Sequence, residues 1–461
     1  MRALKERARF LAILFIFLLV LPLVNISRYA CLDNEELLRH PRNHYGAAES
    51  DLLGSIVDRQ GRPLAFMKEG ERRYPLGPAA GPLLGYCNPV YGLAGLEAQL
   101  SERLQGFSVP RSLNQALLLW DKRDRRGDDL QLTIDSQLQR RAYEALAGRR
   151  GAAVLLEVPT GEILAMASRP AYDPNFSALK RDWARLTRDP QAPLVERAGQ
   201  GMYPPGSVFK PLIMAAALEE GLTNPQAHFD CQGRAQVGNF VLNCHDRHGM
   251  LSLAQALAYS CNVAFADLGM RLGMERIRQW MRTFQMEGRL SAVPGAVTAK
   301  LPEASNPSAP AETAIGQADT LVSPLHMARL AAIIARGGLD IEPRLLKAQV
   351  REGEEIIWQP PWPQPRRVLS AQSAQLVAQA MLLTVEEGTG TAAQVAGVQV
   401  AGKTGSAENP HGATHAWFIG YAPAQKPRYA VAVILENAGG GGRYAAPCAQ
   451  KILKAALASQ P

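Results

Sequence analysis

Ala152-Ala-Val-Leu-Leu-Glu-Val158, Pro159-Thr-Gly161 and Glu162-Ile-Leu-Ala-Met-Ala-Ser168 form the stretch on which the fold turns. Two apolar runs of strand length flank a Pro/Gly turn, which predicts a hairpin. Comparable runs recur only far along the chain. Ala416-Trp-Phe-Ile-Gly-Tyr421 and Tyr429 to Glu436 read as adjacent strands, and Pro447 to Ser459 as a closing helix. Between them the pattern is helical: from Asp135 or Ser136 to about Gly148, after Pro211, over Leu253 to Tyr259, and over Leu321 to Ala335. Strands near both ends with helices between imply one sheet assembled from distant segments, so the expected class is α+β.

Upstream of the hairpin the character changes. The charged run Asp121 to Asp129 reads as a solvated connection, and residues 27 to 130 are rich in Gly and Pro (Gly77-Pro78, Gly81-Pro82, Asn88-Pro89). Leu53 to Gly61 reads as a strand and turn that Pro63-Leu-Ala-Phe66 resumes, and Leu93 to Leu104 has helical spacing. Phe10 to Val24 carries no charge and extends to Ile26 with only Asn25 polar, which at about 17 residues reaches the lower limit of a membrane-spanning helix. Arg2, Lys5, Arg7 and Arg9 precede it and predict a cytoplasmic N-terminus with everything after Ser27 outside. No small-x-small cleavage site follows, so a retained anchor is expected rather than a signal peptide. The expected organisation is an anchor (1–26), a small pedestal domain (27–130) and a catalytic domain (131–461).

The chain has 461 residues, 47% apolar and 20% charged, enough for two or three globular domains. Its net charge of +8 comes from scattered Lys and Arg, with no basic stripe interleaved with aromatics, so nucleic acid is not an expected partner. A basic exterior suits work near anionic envelope polymers or lipid head groups.

Three short motifs carry the chemistry. Pro204-Pro205-Gly206 turns the chain immediately before Ser207, so the serine is expected to start a helix, with its N–H among the donors that stabilise a developing oxyanion. Lys210, three residues on, lies on the same helical face and becomes a base if burial strips its proton. A capping serine with a snorkelling lysine is the bland reading of the same residues. Ser260-Cys-Asn262 offers a hydroxyl and an amide to one side of a turn. Lys403-Thr-Gly405-Ser406 follows a short strand-like stretch: Thr404 and Ser406 suit a carboxylate, and Gly405 admits a close substrate backbone. Together they equip a chain for acyl transfer through a serine ester.

In order and surroundings these motifs resemble those of the class B penicillin-binding proteins. So do Gly151 to Met166, Pro170 to Asn175, Ile315-Gly-Gln317 with Leu321-Val-Ser-Pro-Leu325, and Ala416 to Pro423. The resemblance covers about Gln131 to the C-terminus, and the short pedestal is similar to that of the compact, mycobacterial-type branch. It implies an antiparallel sheet flanked by helices plus an all-helical lobe, as in serine β-lactamases. It also implies a D,D-transpeptidase. Ser207 would attack the penultimate D-alanine of a peptidoglycan stem peptide and Lys210 would take its proton. Ser260 would return a proton to the departing D-alanine, and Asn262 would hold a substrate amide. The N–H groups of Ser207 and Ser406 would form the oxyanion hole, with Lys403 and Thr404 steering the terminal carboxylate. β-Lactams would acylate Ser207, and a membrane glycosyltransferase would be a partner, since residues 27–130 are too few to hold one. A D,D-carboxypeptidase or a β-lactam-hydrolysing or sensing enzyme uses the same elements, although no Glu stands out as a base for a deacylating water.

No cofactor is required by this chemistry. Cys231 and Cys244 are spaced to close a disulfide in an oxidising exterior. With His248 and Cys261 they also form a Cys3His set suited to a structural zinc, and free thiols are the third alternative. His411 and His415 read as cleft-wall residues.

Overall fold

The computed structural model describes residues 53–105 and 127–459, apart from 239, 289–292, 304–305, 352–354 and 410–411, together with 7, 11 and 14–24 near the N-terminus. At its centre is a five-stranded antiparallel sheet in the order Ala401–Ala407, His415–Ala422, Tyr429–Leu435, Gly151–Glu157, Ile163–Arg169. Ala432 pairs with Val154, joining segments from the two ends of the catalytic region. The strands are apolar almost continuously because both faces are covered. Val154, Leu156, Trp417, Ile419 and Ile434 pack toward the nucleophile side, whereas Leu155, Phe418, Val431 and Val433 pack under the closing helix. The period-two alternation of a strand thus sorts one apolar run between two cores.

The expected closing helix starts earlier than the sequence suggests, running Gly441–Ala458 with Pro447 inside it. Pro447 marks no helix start; Gly441 does, by close approach. A Cβ there would lie 2.3 Å from the carbonyl oxygens of both Gly405 and Trp417, so only glycine lets the helix begin against the edge strand.

Helix Lys210–Glu219 is buried on all sides through Ala217, as its uniformly apolar sequence requires. It packs against Asn262–Thr283 and Ala371–Glu386. This helical lobe also carries two small antiparallel ribbons, His228–Cys231 with Gly249–Ser252 and Arg234–Val237 with Phe240–Asn243.

A second sheet threads across the boundary expected at residue 130. Its order is Glu355–Trp358, Leu346–Arg351, Asp129–Leu132, Ile56–Val57, Pro63–Lys68, Glu71–Arg73, so a segment late in the sequence completes the N-terminal unit. The stretch expected as one helix over 93–104 is two short ones, Gly95–Gln99 and Ser101–Leu104. Glu97 is buried with Arg72: the Arg72 Nε–H donates to Glu97 Oε1 at 2.7 Å, and the Tyr74 hydroxyl donates to the same oxygen at 3.1 Å. Replacing Glu97 by Ala leaves a buried guanidinium without its anion, which costs about 3–5 kcal/mol. The thermal unfolding midpoint of Glu97→Ala should fall by several degrees, and an unchanged midpoint would refute this role.

Of the expected anchor, residues 7, 11 and 14–24 are helical and exposed, and the remainder lies outside the described residues. No described helix is long and apolar enough to cross a membrane.

Candidate active site

Ser207 does not open the α-helix itself. It sits in a 3-10 turn, Gly206–Phe209, that runs into the α-helix at Lys210. Three contacts clamp this turn. The Gly206 N–H donates to the Gly316 carbonyl at 2.8 Å, and the Trp417 Nε1–H donates to the Pro204 carbonyl at 3.0 Å. Gly405, on the edge strand, is so close that a Cβ would stand 3.0 Å from the Val208 nitrogen. Gly206 and Gly316 both have left-handed φ (56° and 77°), and a Cβ on Gly316 would lie 1.9 Å from the Gly206 oxygen. The Ile315-Gly-Gln317 segment therefore works as a buttress for the Ser207 turn, a role invisible in its sequence.

Lys210 is fully buried and brings two of the motifs together. Its Nζ donates to the Ser260 carbonyl at 2.7 Å, to the Ser260 hydroxyl at 3.2 Å and to Asn262 Oδ1 at 2.8 Å. The Phe265 ring lies 5.4 Å away. The turn that presents these acceptors is built locally. Helix Leu253–Ala258 begins with a Ser252/Gln255 capping box, Ser260 turns the chain at a left-handed φ of 59°, and Asn262 opens the next helix. The Asn262 side chain is held from behind, its Nδ2–H donating to the Asn243 carbonyl at 3.0 Å.

Burial lowers the pKa of Lys210 to about 7, against an opposing pull from the Cys244 and Cys261 sulfurs. A base must be neutral to accept a proton, and a depressed lysine pKa makes the neutral form dominant above that value. The acylation rate should therefore rise with pH through about 7 and level off above it. A flat or falling stopped-flow profile with a fluorescent penicillin between pH 6 and 9 would contradict this.

Ala401–Ala407 is the edge strand of the central sheet, so its outer row of backbone groups is free to pair with an extended peptide. Lys403 is fully buried, donates to the Thr404 carbonyl at 2.9 Å, and has its pKa pushed well down by burial and then by the charge of Lys210. The Thr404 hydroxyl is 2.6 Å from that of Thr389, and the Ser406 hydroxyl accepts from the Gly441 N–H at 3.3 Å. Thr389, Asn243 and Gly441 are neighbours of the three motifs that sequence reading misses, and the packing of Gly316 against Gly206 is likewise not legible in its segment. Each acts through a long-range approach that no local pattern encodes. His415 is buried on its strand: its Nδ1 accepts from the Asn437 N–H at 3.1 Å and its ring meets Tyr203 edge-on. His411 lies outside the described residues.

Behind the Ser260 turn, Cys231, Cys244, His248 and Cys261 offer four ligand atoms within 4.8 Å of one another. The expected Cys231–Cys244 disulfide is not formed; both thiols are free, as are Cys87, Cys261 and Cys448. The His248 Nδ1 is 3.4 Å from Cys231 Sγ and 3.6 Å from Cys244 Sγ, so the imidazole is a close neighbour of both sulfurs.

Comparison with known proteins agrees with this geometry. Residues 151–454 match the penicillin binding protein transpeptidase domain. The chain is 33% identical to the peptidoglycan D,D-transpeptidase PbpA of Mycolicibacterium smegmatis, over 97% of this chain and 98% of that protein. It is 31% identical to the peptidoglycan D,D-transpeptidase MrdA of Haemophilus influenzae, over 78% of this chain and 62% of that one. Among solved structures it resembles the ceftriaxone acyl-enzyme complex of penicillin-binding protein A from M. tuberculosis, with a TM-score of 0.81, 31% identity, and 88% and 99% of the two chains covered.

Proposed function

The chain belongs to the class B penicillin-binding proteins and is a serine D,D-transpeptidase of peptidoglycan, and on that premise we propose how its residues divide the work. Ser207 Oγ attacks the carbonyl carbon of the penultimate D-alanine. Its proton passes to neutral Lys210, one helical turn beyond. The N–H groups of Ser207 and Ser406 hold the oxyanion, where preorganised donors contribute most to such a barrier. The Ser260 hydroxyl, 3.2 Å from Lys210 Nζ, relays a proton to the leaving D-alanine nitrogen. Asn262 orients a substrate amide, and Lys403 with Thr404 receives the terminal carboxylate. Gly405 lets the peptide backbone lie along the edge strand. An amine from a neighbouring strand then attacks the ester, giving the 4-3 class of cross-link and restoring Ser207. The observation that carries this scheme is the buried Lys210 amine nitrogen bridging Ser260 and Asn262.

Labelling the full-length, detergent-solubilised chain with a fluorescent penicillin tests the scheme. One adduct on the peptide holding Ser207, persisting for minutes or longer, is expected. Absence of an adduct would indicate a scaffold, and rapid release of hydrolysed drug a β-lactamase.

The basic flank before Phe10 supports a single-pass anchor with a cytoplasmic N-terminus and the catalytic domain outside. The absence of room for a polymerase in residues 27–130 supports a separate membrane glycosyltransferase as partner.

The thiol cluster supports a structural zinc. Zinc–sulfur bonds near 2.3 Å and zinc–nitrogen bonds near 2.0–2.1 Å give tetrahedral edges of about 3.8 Å (S–S) and about 3.6 Å (S–N). Cys244 and Cys261 Sγ are 4.0 Å apart, and the two imidazole–sulfur separations are 3.4 and 3.6 Å. These lengths fit edges of a Cys3His tetrahedron and exceed any covalent S–S bond. Purified protein should hold about one zinc per chain by elemental mass spectrometry, and cobalt exchange should give a thiolate charge-transfer band. A metal-free chain with all thiols alkylatable would refute the site.

A further inference from the structure

The segment that leads into Ser207 is tied to a carboxylate that no step of the reaction uses. Glu436 follows the middle strand of the central sheet, Tyr429–Leu435, and its N–H donates to the Arg150 carbonyl at 2.7 Å. Its side chain is buried and met from three sides. The Arg197 Nε–H donates to Oε1 at 2.8 Å, the Tyr203 hydroxyl donates to the same oxygen at 2.8 Å, and Arg150 pairs with Oε2. A buried carboxylate needs charge and hydrogen bonds to offset its lost hydration, and two guanidiniums with a phenol provide them. Arg197 is itself fixed, because its guanidinium also donates to the carbonyls of Ala192 and Gln191.

Tyr203 joins this network to the catalytic turn. Its backbone exchanges hydrogen bonds with Val322 at 3.0 and 2.9 Å, and its ring packs edge-on against His415 and Trp417. Burial, and then the charge of Glu436, pushes its phenol well above the usual tyrosine range, so the hydroxyl stays a donor at any working pH. Only Pro204, Pro205 and Gly206 separate Tyr203 from Ser207. The proline rings fix two φ angles, and the Gly206 N–H is clamped to the Gly316 carbonyl. The link is therefore stiff, and a shift at Tyr203 is passed on to Ser207 rather than absorbed.

We propose that Tyr203 is a positioning residue for the acylation step: Glu436 holds its hydroxyl, and the Pro204-Pro205 strut carries that hold to Ser207 Oγ. This role rests on the transpeptidase reading, since Ser207 must be the nucleophile. The hydrogen-bond partners of the Glu436 carboxylate are Arg150, Arg197 and Tyr203, so its influence on Ser207 travels through Tyr203. Phenylalanine would fill the same ring site and leave Glu436 both guanidiniums. What it loses is the hold on the strut. Misplacing a reacting group by about 1 Å costs on the order of 100-fold in rate.

The test compares the full-length, detergent-solubilised wild type with Tyr203→Phe by stopped-flow acylation at several concentrations of a fluorescent penicillin. Such a series separates the Kd of the non-covalent complex from the maximal acylation rate. The maximal rate should fall by roughly 10–100-fold while Kd stays within about twofold of wild type. The rise in rate with pH should keep its midpoint near 7, because Lys210 is untouched, and the unfolding midpoint should barely move. A maximal rate equal to that of wild type overturns the proposal. So does a loss carried by Kd, by a displaced pH midpoint or by a matching fall in thermal stability. Glu436→Ala completes a double-mutant cycle: adding Tyr203→Phe to it should lower the rate no further, whereas independent, multiplying losses would refute the link to Glu436. Tyr203→Phe alone decides the matter if Glu436→Ala does not fold. Wild type that takes no penicillin would sink the transpeptidase reading and this role together, while equal rates in wild type and Tyr203→Phe would sink this role alone.

Discussion

Ser207→Ala should abolish covalent capture of penicillin, lowering the acylation rate by about 10⁴-fold or more, the scale on which removal of a serine nucleophile acts. Ser207 lies in a turn held by the Gly206–Gly316 and Trp417–Pro204 hydrogen bonds, none of which uses its side chain. The variant should therefore fold with a nearly unchanged unfolding midpoint, which separates lost chemistry from lost structure. In-gel fluorescence of wild type and variant at equal loading reads the effect directly. Label persisting on another residue would mean that the nucleophile has been misassigned.

Lys210→Met should lower the acylation rate by about 10²–10⁴-fold, the usual range for loss of a positioned acid–base group. Methionine fills similar space but removes the proton acceptor and the three contacts to Ser260 and Asn262. The rise in rate with pH through about 7 should vanish along with the titrating amine. Lys210→Arg should not rescue it. A guanidinium keeps its charge at any working pH, so it cannot accept the serine proton, and its planar fork does not fit three acceptors set for an ammonium. If Lys210→Met retained the wild-type pH profile, another group would be the base.

Much of this architecture was legible in the residues. The hairpin over 151–169 and the late strands over 415–435 are long apolar runs bounded by turns, and burial on both faces leaves little ambiguity about their state. The three motifs were legible because spacing along a helix or strand fixes which side chains share a face. Where the sequence misled, non-local contact was the cause. Pro447 looked like a helix start, yet the helix begins at Gly441 because only glycine fits beneath Gly405 and Trp417. Asp129–Leu132, at the expected boundary, pairs with Leu346–Arg351, more than two hundred residues away, a pairing no local pattern encodes. Cys231 and Cys244 are spaced to close a loop, yet both are free and gather with His248 and Cys261 in one cluster.

By itself the sequence pointed to Ser207 and Lys210 as the proposed nucleophile and base, to the Lys403 strand as the proposed carboxylate site, and to an apolar N-terminal segment as the expected anchor, since these depend on residue type at short spacing. Only the tertiary structure decided how the parts act on one another: that Lys210 rests on Ser260 and Asn262, that Gly316 and Thr389 belong to the site, and that three thiols and an imidazole converge behind the catalytic turn. The physical reason is the same in each case. Hydrogen bonding and pKa shifts depend on separations of a few ångströms and on burial, and for residues outside one local turn or helix face those are set by packing.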